Sequence, residues 1–314
     1  MEAARQGERS ALARLISLIE QGGAAAREVG RLTYPISGEA YTVGITGAPG
    51  AGKSTLTSRI IAIGRAAGDD MAVLAVDPSS PFTGGAILGD RVRMQDHALD
   101  AGVFIRSMAT RGHLGGLALA TPEAVRALDA VGFDWVLIET VGVGQVEVEV
   151  AGAADTTMVV INPGWGDAVQ ASKAGLLEIA DVFVINKADR PGVEEARRDL
   201  EHMLDLAGTP GGDGHGGSPW RAPIVPAVAA RGEGVDEVWA AVRSHREHLA
   251  DTGTLDHRRA ARIVEELRAI VGERLMERAR QACRGPKFDE LRQRVLDRDL
   301  DPYAASNEII AWFD

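Results

Sequence analysis

Residues Gly47-Ala48-Pro49-Gly50-Ala51-Gly52-Lys53-Ser54 match the pattern G-x-x-x-x-G-K-[ST], and no other stretch constrains the fold as much. The pattern works only where a strand ends and a helix begins. Its glycines let the backbone turn N–H groups toward phosphate oxygens, and the helix start adds the positive end of its dipole. Both flanks are present: an apolar run at 41–46 precedes the loop, and 54–65 has a helical pattern. Such a loop binds a nucleotide. Lys53 is expected at the β- and γ-phosphates and Ser54 on Mg²⁺, with Gly47, Ala48, Gly50, Ala51, Gly52 and Thr55 around the phosphates.

The surrounding chain agrees. Strand patterns at 41–46, 71–77, 103–107, 134–139, 157–162, 181–186 and 223–228 alternate with helical patterns near 53–67, 121–131, 167–179, 192–206 and 233–250. Alternation of this kind implies an α/β fold, a P-loop domain with a mostly parallel central sheet flanked by helices. Three zones follow: a helical N-terminal segment at 1–40, the P-loop domain at 41–252, and a helical C-terminal arm at 253–314. In the first zone Leu12, Leu15, Ile16 and Ile19 recur at helix spacing, and Gln21-Gly22-Gly23 ends that helix. Positions 209–218 read as a glycine-rich loop. In the arm, Val264, Leu267, Ile270, Val271 and Leu275 mark one amphipathic helix, and Leu291, Val295 and Leu300 mark another. An apolar stripe must pack on something, either the sheet domain or a second subunit.

A second motif narrows the nucleotide. The apolar run Val182-Phe183-Val184-Ile185 leads into Asn186-Lys187-Ala188-Asp189, an N-K-x-D signature of GTPases. A carboxylate at Asp189 can accept from both N1–H and the exocyclic amine of guanine, and adenine offers no such pair. A site built for paired hydrogen bonds rejects a ligand lacking them by several powers of ten. Asn186 is expected to brace the loop and the Lys187 stem to lie over the base.

Between these motifs lie candidate switch elements. Asp77, ending a strand pattern, and Asp90, in Gly89-Asp90-Arg91, are candidates for Mg²⁺; Asp77 also has the simpler reading of a turn cap. Glu139-Thr140-Val141-Gly142 has the form of a D-x-x-G switch with Glu for Asp. There Gly142 would donate to the γ-phosphate and Glu139 would sit near Mg²⁺. The position after Gly142, where many signalling GTPases carry a water-orienting glutamine, is Val143, and the nearest glutamine is Gln145. The expectation is slow hydrolysis that a partner or a loop rearrangement accelerates.

Charge and cysteine count limit the alternatives. A net charge of -11 over 314 residues disfavours wholesale binding to nucleic acid or anionic membrane. No apolar stretch is long enough to span a bilayer, residues 1–5 do not open a signal peptide, and Cys283 is the only cysteine, so a cytoplasmic location is expected.

The set G-A-P-G-A-G-K-S, V-D-P-S-S, G-D-R-V-R-M, A-T-R-G-H-L-G-G-L, E-T-V-G-V-G-Q, G-D-x-x-Q and N-K-A-D resembles the methylmalonyl-CoA mutase-associated GTPases of the MeaB/ArgK type. The resemblance runs from about residue 10 to 250. It implies a homodimeric chaperone of an adenosylcobalamin-dependent acyl-CoA mutase that uses GTP to gate cofactor delivery and protect the mutase. It also implies that Lys53, Ser54, Asp77, Asp90 and Glu139 serve phosphate and Mg²⁺, and that the segment holding Gly166, Asp167, Gln170 and Lys173 couples nucleotide state to the mutase. The chain departs from the family pattern at Val146, at Trp165, at Ala168-Val169 and at Pro226-Ala227, where S-A is usual. The Ala227 N–H remains available to guanine O6, because Pro226 removes only its own donor. Other classes are a nickel-delivery GTPase, a P-loop kinase, and a binding module gated by nucleotide. The seven scattered histidines and lone cysteine do not form the His- or Cys-rich stretch that metal delivery usually carries.

Overall fold

A computed structural model describes residues 1–78, 94–97, 99–110, 116–140, 152–164, 179–207 and 220–312. Among them, seven strands form one parallel sheet: β1 (Tyr41–Gly47), β2 (Met71–Pro78), β3 (Val103–Thr110), β4 (Trp135–Thr140), β5 (Thr156–Ile161), β6 (Val182–Asn186) and β7 (Ile224–Ala227). Their order is β3-β2-β4-β1-β5-β6-β7. All seven strand patterns read from the sequence are present.

These strands read as Val- and Ile-rich runs because both faces of the sheet are covered. Side chains alternate across it with period two. On β4, Trp135 and Leu137 share a cluster with Leu56, Ile60, Val238 and Trp239. These partners lie on the helices α4 (Lys53–Ala67) and, further along the chain, Val235–Asp251. Val136 and Ile138 face the other way, toward Leu12, Ile16, Ala124 and Leu128. That opposite layer is built from α2 (Arg9–Gln21), with the short α1 (Glu2–Arg5) before it, and α5 (Gly116–Asp129). On the β7 side, Val159, Ile161, Phe183 and Ile185 pack with Leu200 of α6 (Val193–Ala207). The helix Val235–Asp251 is α7.

Four local readings are refined. The first helix does end at Gly22, where φ is 72°, but α3 (Gly23–Thr33) starts at once, so one glycine closes one helix and opens the next. The helix expected near 121–131 begins earlier, at Gly116, and carries Pro122 within it. Leu300 falls in the turn between α9 (Pro286–Leu296) and α10 (Pro302–Ile310); α10 has too little apolar periodicity to be read from the sequence. The helix expected near 167–179 and the glycine-rich stretch at 209–218 lie almost wholly outside the described residues.

The chain forms two compact units, Met1–Arg262 and Ile263–Asp314, with the boundary inside α8 (Thr254–Ala282). Within the second unit, Leu291 and Ala305 are buried, Arg294 pairs with Glu308, and the Lys287 ammonium lies 4.1 Å from the centre of the Trp312 ring. The helix α8 has no buried residue, and Leu267, Val271 and Leu275 are about half exposed or more.

The sheet's N-terminal edge carries a buried polar network. Asp155 and Asp181 precede β5 and β6 and accept from the amides of Thr42 and Thr157. Arg259 and Arg262 of α8 pair with Asp155, and the two guanidinium groups hold its carboxyl below the usual range despite its burial. His245 of α7 is fully buried, with Nδ1 2.8 Å from Thr156 Oγ1, which is 2.7 Å from the Tyr41 hydroxyl. Its Nε2 is 3.3 Å from Asp181 Oδ1, but this is not an ion pair. Burial, with the nearby Arg258 charge, lowers His245 to about 3, so its imidazole is neutral, and burial raises the Asp181 carboxyl.

Candidate nucleotide site

The site lies at the C-terminal ends of β1, β4, β5 and β6. The sheet order reverses around β1, whose neighbours are β4 and β5, and such a switch point leaves a crevice where ligands bind. The loop from Gly47 to Ser54 crosses this crevice. Gly47 has φ of 131°, and a Cβ there would overlap the Val160 carbonyl of β5. Gly52 has φ of 93°, and a Cβ there would overlap the Asn186 amide. Only glycine satisfies both the backbone angle and the close approach at these positions.

Lys53 and Ser54 form the first turn of α4, both buried. Lys53 Nζ donates to the carbonyls of Gly47 (2.7 Å) and Ala48 (3.1 Å), which holds the ammonium over the loop. Thr55 follows on the same turn. Glu139, on β4, is 3% exposed. It sits in register with Ile45 of β1 and Ala75 of β2 and shares the α4-facing side with Leu137. Its Oε1 accepts from Ser54 Oγ at 2.6 Å and its Oε2 from Thr57 Oγ1 at 2.9 Å. A hydroxyl and a carboxylate in contact are hard oxygen donors of the kind Mg²⁺ takes. Thr140 continues the strand and bonds Thr46 of β1 through their hydroxyls.

The second half of the site is built on Asn186. Its Nδ2 donates to the Ala51 carbonyl (2.7 Å), and its Oδ1 accepts from the Ala229 amide (3.1 Å). One side chain therefore ties the phosphate loop to the loop after β7. Lys187 has φ of 59°, an angle uncommon outside glycine, and its Nζ donates to the Gly50 carbonyl at 2.6 Å. The Ala188 amide donates to the Ala227 carbonyl. Asp189 is exposed and lies 3.7 Å from Arg231, which also pairs with Glu233. Arg59 of α4 donates to the Ala229 and Ala230 carbonyls and holds this loop from the other side.

The structure thus brings Gly47, Ala48, Gly50, Ala51, Gly52, Lys53, Ser54 and Glu139 together with Asn186 and Lys187. Ala227 ends β7 in register with Asn186, while the amide turned to the Asn186 side chain is that of Ala229, two residues on. Asp77 is on β2, in register with Ala109 of β3. Asp90, Gly142, Gln145, Val146, Trp165, Gly166, Asp167, Gln170 and Lys173 lie outside the described residues. Thr57, Arg59, Ala229 and Arg231 were not anticipated. Thr57 sits one helical turn beyond Ser54 on the same face, a spacing signal that was present. The other three depend on long-range folding.

The family model for methylmalonyl-CoA mutase-associated GTPase MeaB matches residues 12–284. The chain belongs to the MeaB family. A Pyrococcus abyssi relative is 49% identical, over 99% of this chain and 94% of its own. The mouse protein named methylmalonic aciduria type A homolog, mitochondrial, is 31% identical, over 98% of this chain and 77% of its own. Among solved structures, one titled LAO/AO transport system kinase superposes with a TM-score of 0.70 at 28% identity, covering 99% of this chain and 95% of that one. Membership makes the chain a GTPase, which binds GTP and GDP. Among the described residues of this MeaB-family chain, no helix is long and apolar enough to cross a membrane.

Proposed function

We propose that this MeaB-family GTPase is a chaperone of an adenosylcobalamin-dependent acyl-CoA mutase, gating cofactor delivery and protecting the mutase through GTP binding and hydrolysis. The observation that carries the reading is the family match across residues 12–284, a family described as mutase-associated. The site's geometry is compatible with it. Backbone amides of Gly47, Ala48 and residues 50 to 55, with the Lys53 ammonium, hold the phosphates. Ser54 and Glu139, with Asp77 and Asp90, would hold Mg²⁺. When bound there, Mg²⁺ offsets negative charge on the phosphate oxygens. Asp189 accepts from guanine, Lys187 covers the base, and the backbone amide of Ala227 meets the guanine oxygen.

Gly142 senses the γ-phosphate, and the segment with Gly166, Asp167, Gln170 and Lys173 carries nucleotide state to the mutase. Without a glutamine next to Gly142, turnover by the chain alone is slow and rises on contact with the client. The chain acts as a homodimer joined through its C-terminal helices, in the cytoplasm.

The deciding experiment measures GTP turnover with Mg²⁺, alone and with purified cobalamin-dependent mutases. Stimulation by one mutase supports the reading and identifies the client. Fast turnover alone, unchanged by every mutase, overturns it. Transfer of phosphate to a small acceptor instead of water would favour a kinase.

A further inference from the structure

We infer that Thr57 is a positioning residue for the metal-side carboxylate, holding one oxygen of Glu139 so that the other is presented to Ser54. The inference rests on the reading that Ser54 and Glu139 hold Mg²⁺. Thr57 is fully buried on α4, three residues after Ser54, so both hydroxyls emerge on one helix face toward β4. They meet the two oxygens of a single carboxylate: Ser54 Oγ at 2.6 Å from Oε1, and Thr57 Oγ1 at 2.9 Å from Oε2.

Thr57 Oγ1 also lies 3.0 Å from the Lys53 carbonyl. It has one proton and faces two acceptors, and its shorter contact is to the Glu139 carboxyl. The proton therefore goes to Glu139. A carboxylate that shares no proton with Thr57 would leave a buried threonine hydroxyl spent on its own helix, a bond helices do not need.

The arrangement answers a geometric problem set by the sequence. The switch strand carries Glu139 where the D-x-x-G form has Asp. The added methylene gives the carboxylate another free torsion, and a metal ligand that wanders by an ångström loses its value. A hydroxyl from α4 restrains it at the level of Ser54, through the same helix that carries Lys53. This resembles the way outer partners orient metal-binding carboxylates elsewhere.

The test compares wild type, Thr57→Val and Thr57→Ser. Valine keeps the shape and removes the proton; serine keeps the proton. The readout is the Mg²⁺ concentration that half-maximally slows release of a fluorescent GDP analogue, with GTP turnover and thermal midpoint measured beside it. Thr57→Val is expected to raise that concentration about tenfold, the size of one charge-assisted hydrogen bond. Thr57→Ser is expected to lie within about twofold of wild type. Wild-type GDP release that responds to Mg²⁺, with Thr57→Val responding identically, overturns the inference while leaving the site reading intact. Wild-type release that ignores Mg²⁺ overturns the site reading itself. A drop in thermal midpoint shared by Thr57→Val and Thr57→Ser, with the Mg²⁺ response unmoved in both, assigns Thr57 a packing role only and also overturns the inference.

Discussion

Asp189 is the residue on which base choice turns. Its carboxylate is the one group in the N-K-x-D loop that can accept two hydrogen bonds side by side, and it is exposed, 3.7 Å from Arg231. Asp189→Asn replaces one acceptor by a donor. The expected outcome is a loss of GTP affinity of at least about hundredfold, with xanthosine triphosphate binding gained, because its N1/C2 edge offers the complementary pattern. Competition binding with both nucleotides checks this; unchanged GTP affinity would remove Asp189 from the base site. At this scale the chain announced much of its chemistry. Lys53, Ser54, Asn186 and Lys187 converge on one loop system, because a P-loop and an N-K-x-D turn are local backbone solutions written in a few adjacent residues. Ala229 was not announced. Its amide reaches Asn186 only because the chain turns back after β7, and Pro226-Ala227-Val228-Ala229 carries no polar side chain to mark the place.

At the scale of elements, the coupling of α7 to β5 and β6 gives a pH dependence. His245 is held neutral, its value lowered to about 3 by burial first and by the Arg258 charge next. In the unfolded chain it titrates near the ordinary 6.5. Between those values the unfolded state binds the proton and the folded state does not. The contribution is therefore complete above about pH 6.5 and is lost as pH falls toward 3, with a limiting slope of about 1.4 kcal/mol per pH unit. Asp155, whose carboxyl is lowered, adds to the loss at the acid end of the same range. His245→Gln, which keeps a polar partner for Thr156 and cannot titrate, is expected to flatten the fall in melting temperature between pH 6.5 and 5. Equal slopes in wild type and variant would mean that His245 does not carry it. The strands of this network were legible as apolar runs and α7 as a helical pattern. That His245 and Asp181 would meet was not, since 64 residues separate them and burial of a histidine depends on what packs over it.

For the whole molecule, the open question is what covers α8. Val264, Leu267, Val271 and Leu275 lie at helix spacing, and Leu267 is 60% exposed and Leu275 51%. Exposed apolar stripes of this length mark interfaces. In line with the proposed homodimer, Leu267→Asp combined with Leu275→Asp is expected to convert a dimer to a monomer in sedimentation experiments, without changing GTP affinity. A wild-type monomer, or a double variant still dimeric, would exclude this stripe as the dimer face. The α/β class, the parallel sheet and its seven strands are legible in the order of amino acids alone. Covered strands must be apolar along their whole length, and helices between them must show a stripe, so burial writes itself into local composition. The strand order β3-β2-β4-β1-β5-β6-β7 leaves no such trace, because every strand here is a similar apolar run and any neighbour would satisfy it. The same holds for the meeting of Ser54 and Thr57 with Glu139 across 85 and 82 residues of chain. Ligand class is local and sits in the order of residues. The contacts that orient Glu139, Asn186 and His245 arise when distant segments share one volume, and the folded chain alone selects them.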